Sequence, residues 1–351
     1  MKTVPVFVAG ARGLLAGEFL RLLAGHPALH LAGAYSRGGD GALADCHPHL
    51  AGTTPGAAAL RSHDALAGDL ARALAHGPAA LLLAMNHGES ADAWRVLRAQ
   101  LGAVANRLTV VDLSADFRLP AVGSAGSEAV LADETWHYGL PELHAIPRGA
   151  TRIAAAGCFA TALQLAIVPA ARAGLLDPAL PIIAHGVTGS SGSGAQPKPA
   201  THHPHRHDNL YAYAWDGHRH EAELTAARNF PQGAPPVHFV ACSGPFSRGI
   251  HLSAALALKP GVTPEQAREA YQRTFIGSAC VRVLDEGTPQ LRAITGANRA
   301  DLACGMRGGV LHVFCALDNT LKGGSGQGLQ CLNLALGLPE TAGIPLAGLG
   351  F

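Results

Sequence analysis

A cysteine that follows a glycine where a helix opens is placed to act as a nucleophile. The sequence has one in Ala156-Gly157-Cys158-Phe159-Ala160-Thr161-Ala162. The partial positive charge of a helix N-terminus favours thiolate over thiol, and the thiolate is the attacking form. The same position also suits a packed structural thiol, because free cysteine is among the most buried residue types. The other six cysteines (46, 242, 280, 304, 315 and 331) lack this setting, and Cys315 falls inside an apolar strand. A histidine beside a thiolate stabilises it and can then protonate an oxyanion. Gly217-His218-Arg219-His220-Glu221-Ala222-Glu223 offers His218 and His220 for that task, without saying which of them is the acid. A second cluster, His202-His203-Pro204-His205-Arg206-His207, lies among Ser, Gly and Pro with no cysteine ligand nearby. It reads as a polar loop, and no metal is expected.

A glycine pattern near the start points to a second kind of chemistry. Gly10-Ala11-Arg12-Gly13-Leu14-Leu15-Ala16 fits G-x-x-G-x-x-A and sits between a short apolar run and a stretch with helical spacing. In that context glycines let backbone approach a pyrophosphate, and the helix N-terminus supplies positive charge. Gly10, Ala11, Arg12, Gly13, Leu14 and Leu15 are the candidate dinucleotide contacts, with a plain tight turn as the alternative. The end of the second strand selects the nucleotide. An acidic residue there would hold a ribose 2′-hydroxyl, whereas Ser36-Arg37 offers a hydroxyl and a guanidinium suited to a 2′-phosphate. NADP is therefore the expected cofactor, unless Arg37 is merely solvated.

These groups need a scaffold, and 351 residues are enough for two domains. Residues 4–9, 30–35, 79–85 and 108–113 read as strands, with helical spacing after residue 17 and over 91–100. Strands alternating with helices predict a parallel sheet with helices on its faces. After Gly157 the texture changes. Helices are predicted over 159–173, 264–275 (with Thr263 as N-cap) and 329–336, and strands over 181–185, 237–242, 250–258, 281–284 and 310–317. A loop of Ser, Gly, Pro and His spans 186–209. That mixture suggests an α+β second domain. Composition excludes other classes. Lysine plus arginine (26) nearly cancels aspartate plus glutamate (25), which argues against a nucleic-acid partner. With 48% hydrophobic and 15% charged residues the chain is too apolar for disorder. The apolar block 79–85 is about a third of what a bilayer span needs, so no membrane partner is expected. The opening residues, interrupted by Pro5 and Arg12, read as a buried strand rather than a signal peptide. Seven scattered cysteines without a Cys-x-x-Cys pair suit a reducing cytoplasm.

With these residues in place, the chain resembles the N-acetyl-γ-glutamyl-phosphate reductases of the aspartate-semialdehyde-dehydrogenase superfamily, almost from end to end. The resemblance is carried by residues 10–17 with Arg21-Leu22-Leu23 and His26-Pro27, by Asp112-Leu113-Ser114-Ala115-Asp116-Phe117-Arg118-Leu119, and by Tyr138-Gly139-Leu140-Pro141-Glu142-Leu143. It continues through Gly157-Cys158-Phe159-Ala160-Thr161-Ala162, Gly217-His218-Arg219-His220 and Arg248-Gly249-Ile250. It closes on Asp318-Asn319-Thr320-Leu321-Lys322-Gly323-Gly324-Ser325-Gly326-Gln327. The resemblance implies an α/β protein, with a Rossmann-like parallel-sheet cofactor domain (1–157), an α+β catalytic and dimerisation domain (158–317), and a segment (318–351) returning to the first. It also implies a reaction of arginine biosynthesis. Cys158 attacks an acyl phosphate and expels phosphate, NADPH reduces the thioester, and the hemithioacetal collapses to an aldehyde. Arg118 would hold the leaving phosphate, or else cap the preceding strand. Ser191, Glu223 and Arg248 would contact substrate, while Ser191, Gly192, Asn319 and Gly323 would border the cofactor. A homodimer or homotetramer in the cytoplasm is implied.

Five positions depart from the family pattern. Arg12 replaces a small hydroxyl residue, Ala155-Ala156 an Asn-Pro pair, Phe159 a tyrosine, and Ala222 a proline. Ala200-Thr201-His202-His203-Pro204 and His220-Glu221-Ala222-Glu223 are instead similar to related reductases of lysine biosynthesis, which act on a carrier-linked aminoadipyl phosphate. One methylene is worth only about 1–3 kcal/mol in a pocket, so the two substrates differ by few contacts. Two readings of other classes are weaker. A metal hydrolase leaves the nucleotide loop and Cys158 unexplained, and an inactive NADP-binding regulator leaves Cys158 and the His-x-His pair without a purpose.

Overall fold

The computed structural model describes residues 3–119, 134–226, 228–230 and 233–350. The chain forms two compact units, Met1–Ala156 with Gly324–Ile344, and Gly157–Gly323 with Pro345–Phe351.

In the first unit the apolar runs become a seven-stranded sheet built from β1 (Val4–Ala9), β2 (Leu29–Ser36), β3 (Leu60–Ser62), β4 (Ala79–Leu83), β5 (Leu108–Asp112), β6 (His137–Gly139) and β7 (Arg152–Ala155). Their order is β3-β2-β1-β4-β5-β7-β6, and every pairing is parallel. Every residue of β4 and β5 is buried, as a parallel sheet covered on both faces requires. The order reverses at β1, which lies between β2 and β4. Nucleotides bind at such a switch point, beyond the carboxyl ends of the strands. Helices Leu14–Leu23, Leu66–His76, Glu89–Leu101 and Ser325–Ala335 belong to this unit. The last one arrives from far along the chain. Its Gly328 lets it lie against the sheet, since a Cβ there would stand 2.9 Å from a Leu113 methyl group. Asn333 secures its far end by bonding His26 Nε2 at 3.0 Å and donating to the Ala342 carbonyl at 2.9 Å.

The second unit holds a mixed sheet of β8 (Ile182–Thr188), β9 (Tyr211–Ala214), β10 (Val237–Ser243), β11 (Ile250–Ala257), β12 (Val281–Val283), β13 (Ala300–Arg307) and β14 (Val310–Leu317). The order is β12-β13-β14-β11-β8-β10-β9, with β8/β10 and β12/β13 parallel and the remaining pairs antiparallel. β11 alternates buried and half-buried residues along its length, the mark of a sheet covered on one face. Helices Cys158–Arg172 and Pro264–Thr274 do the covering, and the Tyr271 hydroxyl ties them by donating to the Ala166 carbonyl at 2.5 Å. Thr263 caps the second helix through its side chain, which accepts from the Gln266 amide, as its sequence predicts. The opposite face stays open and carries Ile183, 55% exposed, with His185 beside it.

The predicted loop over 186–209 is corrected in two places. β8 runs on to Thr188 because its alternation continues through Gly186 and Val187, and residues 203–206 wind into a short helix. Strands β3, β6, β7, β9 and β13 and helix Leu66–His76 have no counterpart in the sequence reading.

Candidate active site

The nucleotide loop hangs from the end of β2. The amides of Gly10 and Ala11 both donate to the Tyr35 carbonyl at 3.0 Å, and Gly13 donates to the Gly10 carbonyl at 3.1 Å. Gly10 has φ +79°, and a Cβ on it would stand 2.4 Å from the Ala84 carbonyl oxygen, so only glycine fits. Leu14 and Leu15 open the following helix, whose first amides have no acceptor within it and therefore point a positive end at the loop. His47 was not visible as a site residue in the sequence. Its Nε2 bonds the Ala11 carbonyl at 2.7 Å, and burial pushes its pKa down, so the ring donates as a neutral imidazole.

At the end of β2 two arginines take different places. Arg37 is 78% exposed and pairs with Glu89 at 3.3 Å. The cation that lies on Ser36 is Arg12, whose Nε donates to Ser36 Oγ at 3.3 Å and whose second nitrogen donates to the Asp40 carbonyl at 2.8 Å. Ser36 Oγ also accepts from the Gly39 amide. Arg118, also in this unit, is buried and donates to the carbonyls of Ala155 and Leu113, each at 2.8 Å. It thereby clamps the ends of β7 and β5.

In the second unit Cys158 is the first residue of its helix, with Gly157 as N-cap and no acidic residue in the first turn. The Gly157 amide donates to Glu223 Oε2 at 3.1 Å. The other oxygen of this buried carboxylate lies 3.8 Å from His220 Nε2. His218 is held by its backbone neighbours. Its amide donates to Glu221 at 2.7 Å, and its Nδ1 accepts from the His220 amide at 3.2 Å. With Nδ1 used as an acceptor, the neutral ring carries its proton on Nε2. Burial lowers its pKa to about 4, Arg219 acts in the same sense, and Glu223 opposes both. That Nε2 lies 3.4 Å from the Tyr213 hydroxyl. Burial, and after it the charge of a Cys158 thiolate, push the Tyr213 hydroxyl up. Phe159 and Phe239 pack edge-on against the His218 ring, with centroids at 5.5 and 5.6 Å. Tyr213 therefore joins the thiol and the His-x-His pair, although nothing in its local sequence singles it out.

The remaining candidates lie close by in the same unit. Gly323 admits no side chain, because a Cβ would stand 2.7 Å from that of Cys158. Asn319 accepts from the Gly249 amide at 2.7 Å and donates to Ser191 Oγ at 2.9 Å. The Ser191 hydroxyl in turn donates to the Ser247 carbonyl at 2.6 Å. A Cβ on Gly192 would lie 3.4 Å from Thr188 Oγ1 and 3.9 Å from Asn319 Nδ2. Arg248 places two nitrogens on Asp318 Oδ2, each at 3.0 Å, and so anchors the segment that carries Asn319.

Residues 5–147 match the semialdehyde dehydrogenase NAD binding domain, and residues 158–319 match the semialdehyde dehydrogenase dimerisation domain. N-acetyl-gamma-glutamyl-phosphate reductase of Saccharopolyspora erythraea is 38% identical over 99% of this chain and 99% of its own. The proteins of that name from Corynebacterium glutamicum and Thermobifida fusca are each 36% identical, over 99% and 97% of both chains respectively. Among solved structures, aspartate semialdehyde dehydrogenase II of Vibrio cholerae shares the fold at a TM-score of 0.67 and 14% identity, covering 95% of this chain and 98% of that one. The Candida albicans aspartate semialdehyde dehydrogenase with NADP gives 0.63 and 14%, over 96% of this chain and 99% of that one.

Proposed function

The chain belongs to the semialdehyde dehydrogenase family, among the N-acetyl-γ-glutamyl-phosphate reductases, and from that membership we propose how its own residues carry the reaction. It reduces N-acetyl-γ-glutamyl phosphate to N-acetylglutamate semialdehyde with release of phosphate, a step of arginine biosynthesis, using a nicotinamide cofactor.

The observation that carries the mechanism is a cysteine at a helix N-terminus whose next residue, Phe159, packs against a histidine fixed as a neutral donor. Cys158 enters as thiolate and attacks the acyl carbon. A C–S bond forms, the C–O bond to phosphate breaks, and the enzyme holds a thioester. The nicotinamide cofactor, when bound, supplies the hydride that reduces this thioester. Collapse of the resulting hemithioacetal breaks the C–S bond, releases the aldehyde and restores the thiolate. A tetrahedral oxyanion forms in each half, and His218 Nε2–H is the donor we assign to it. Tyr213 orients that edge of the ring, and Glu223 holds the Gly157 amide and His220 in place, so both act as positioning residues. Arg118 would bind the departing phosphate, its guanidinium fixed by two carbonyls, and Ser191 and Arg248 would border the substrate.

NADP is the proposed form of the cofactor. Gly10, Ala11, Gly13, Leu14 and Leu15 would hold the pyrophosphate, with Arg12 and Ser36 at the 2′-phosphate and Arg37 joining them by leaving Glu89. Gly192, Asn319 and Gly323 would flank the nicotinamide. Among the described residues no helix is long and apolar enough to cross a membrane, and the seven free cysteines suit a reducing cytoplasm. The open face of the second sheet is the proposed contact of a homodimer, or of a dimer pair in a tetramer.

The test runs the reaction backwards, which avoids the labile acyl phosphate. N-acetylglutamate semialdehyde and phosphate should reduce NADP⁺ much faster than NAD⁺. Cys158→Ala should remove the rate while leaving NADPH affinity within about twofold. Activity without phosphate, or substantial turnover by Cys158→Ala, would overturn the thioester route.

A further inference from the structure

Arg206 sits in the histidine-rich stretch that the sequence presents as a solvated loop, yet it is only 7% exposed. The short helix His203–Arg206 delivers its side chain to the ends of two parallel neighbours, β8 and β10. There the guanidinium donates to Ser243 Oγ and, at 3.4 Å, to the Thr188 carbonyl. Its Nε is buried without an acceptor, and among the described residues no carboxylate pairs with it. Arginine keeps its charge at any physiological pH, so deprotonation cannot relieve this burial. One hydroxyl and one carbonyl serve few of its five N–H donors, and a buried cation without an anion is unfavourable. Such a group is complete only when an anion arrives.

We propose that Arg206 binds the α-carboxylate of the acyl substrate. The proposal rests on the function given above, whose substrate carries two anions, a phosphate and an α-carboxylate. Position decides between them. Close approaches within the second unit lead stepwise from Cys158 to the guanidinium. The Cβ position of Gly323 is 2.7 Å from Cys158 Cβ and 2.8 Å from Asn319 Cα. Asn319 and Thr188 meet at the Cβ position of Gly192, and the Thr188 carbonyl receives Arg206. The phosphate is bonded to the carbon under attack, so it must lie beside Cys158. The α-carboxylate stands at the far end of the glutamyl carbon chain, and it is the anion that can reach a cation removed from the thiol. A carboxylate also matches the planar fork of a guanidinium, accepting two parallel N–H bonds.

The experiment is the reverse reaction of the full-length enzyme, with KM measured separately for semialdehyde and phosphate. Loss of hydrogen bonds to a charged group corresponds to about 10–100-fold in affinity. Arg206→Gln should raise KM for N-acetylglutamate semialdehyde by that factor and Arg206→Lys by less. KM for phosphate and the rate of Cys158 alkylation by iodoacetamide should stay within about twofold of the wild type. Wild-type enzyme offered the semialdehyde with its α-carboxylate amidated should suffer a similar loss, and Arg206→Gln should add little to it, as a shared contact requires. The amidated substrate tests the contact even where Arg206→Gln folds poorly. A rise confined to KM for phosphate would assign Arg206 to the other anion and overturn the proposal. So would unchanged KM values in a folded variant, or equal use of both semialdehydes by the wild type. Wild-type enzyme inactive on N-acetylglutamate semialdehyde would instead overturn the function on which the proposal rests.

Discussion

At the scale of single residues, His218 shows how position sets the form of catalysis. An acid partner for an oxyanion is usually pictured as imidazolium, yet burial holds this ring neutral down to about pH 4. A neutral ring suits the chemistry, because hemithioacetal collapse expels thiolate from the oxyanion and needs a hydrogen bond more than a transferred proton. His218→Gln should lower kcat by about 10²–10³-fold, the cost of one oxyanion donor, while leaving cofactor affinity unchanged. The pH–kcat profile of the wild type should show no loss of His218 function between pH 7 and 5. Its folded pKa lies below the unfolded 6.5, so the unfolded chain takes the proton first. Stability contributed by His218 is therefore complete above pH 6.5 and is lost as pH falls toward 4, which denaturation of wild type and variant at pH 7 and 4.5 would read. Cys158, His218 and His220 are legible in the sequence because their neighbours in the chain set their chemistry. His47 and Arg206 are not, since segments distant in sequence engage them, and Tyr213 is not, since only the fold of β9 brings its hydroxyl toward His218.

At the scale of elements, local signals predict the first strand, the glycine loop and the capped Pro264–Thr274 helix almost to the residue. β3, β6 and β7 escape detection because three or four residues show no period, and their pairing is set by the sheet. β13 is hidden by its polar residues, with Asp301 buried and held by Arg282 and Arg299. The segment after β14 depends on a similar device. Asp318 accepts from Arg248, from the Gly296 amide at 2.8 Å, and from the amide and hydroxyl of Thr320 at 2.9 and 2.8 Å. Asp318→Asn replaces one acceptor oxygen by a donor and removes the charge opposite Arg248. Breaking such a pair costs roughly 3–5 kcal/mol when both partners are buried, and Arg248 is partly exposed, so about 3 kcal/mol is expected. Urea unfolding would measure it. A larger drop in kcat than in NADPH affinity would report the displacement of Asn319 and Gly323.

At the scale of the whole molecule, no element among the described residues covers one face of the second sheet. Ile183 stands exposed on it, opposite Ala255 in register. Ile183→Lys should dissociate the assembly into monomers, as read by sedimentation, with little change in monomer fold. An unaltered oligomer would move the contact elsewhere. Burial alternates along β11, as in a two-faced sheet, but what lies against the open face is outside the reach of any single-chain pattern. The chain path has a further effect during synthesis on the ribosome. All seven strands of the first sheet emerge early, yet helix Ser325–Ala335 follows only after the whole second unit has been made. Until then Leu82, Val111 and Leu113, which Gly328 approaches in the finished protein, lack that cover. The nascent cofactor unit therefore waits with an unprotected apolar flank until that helix has followed the second unit out of the exit tunnel.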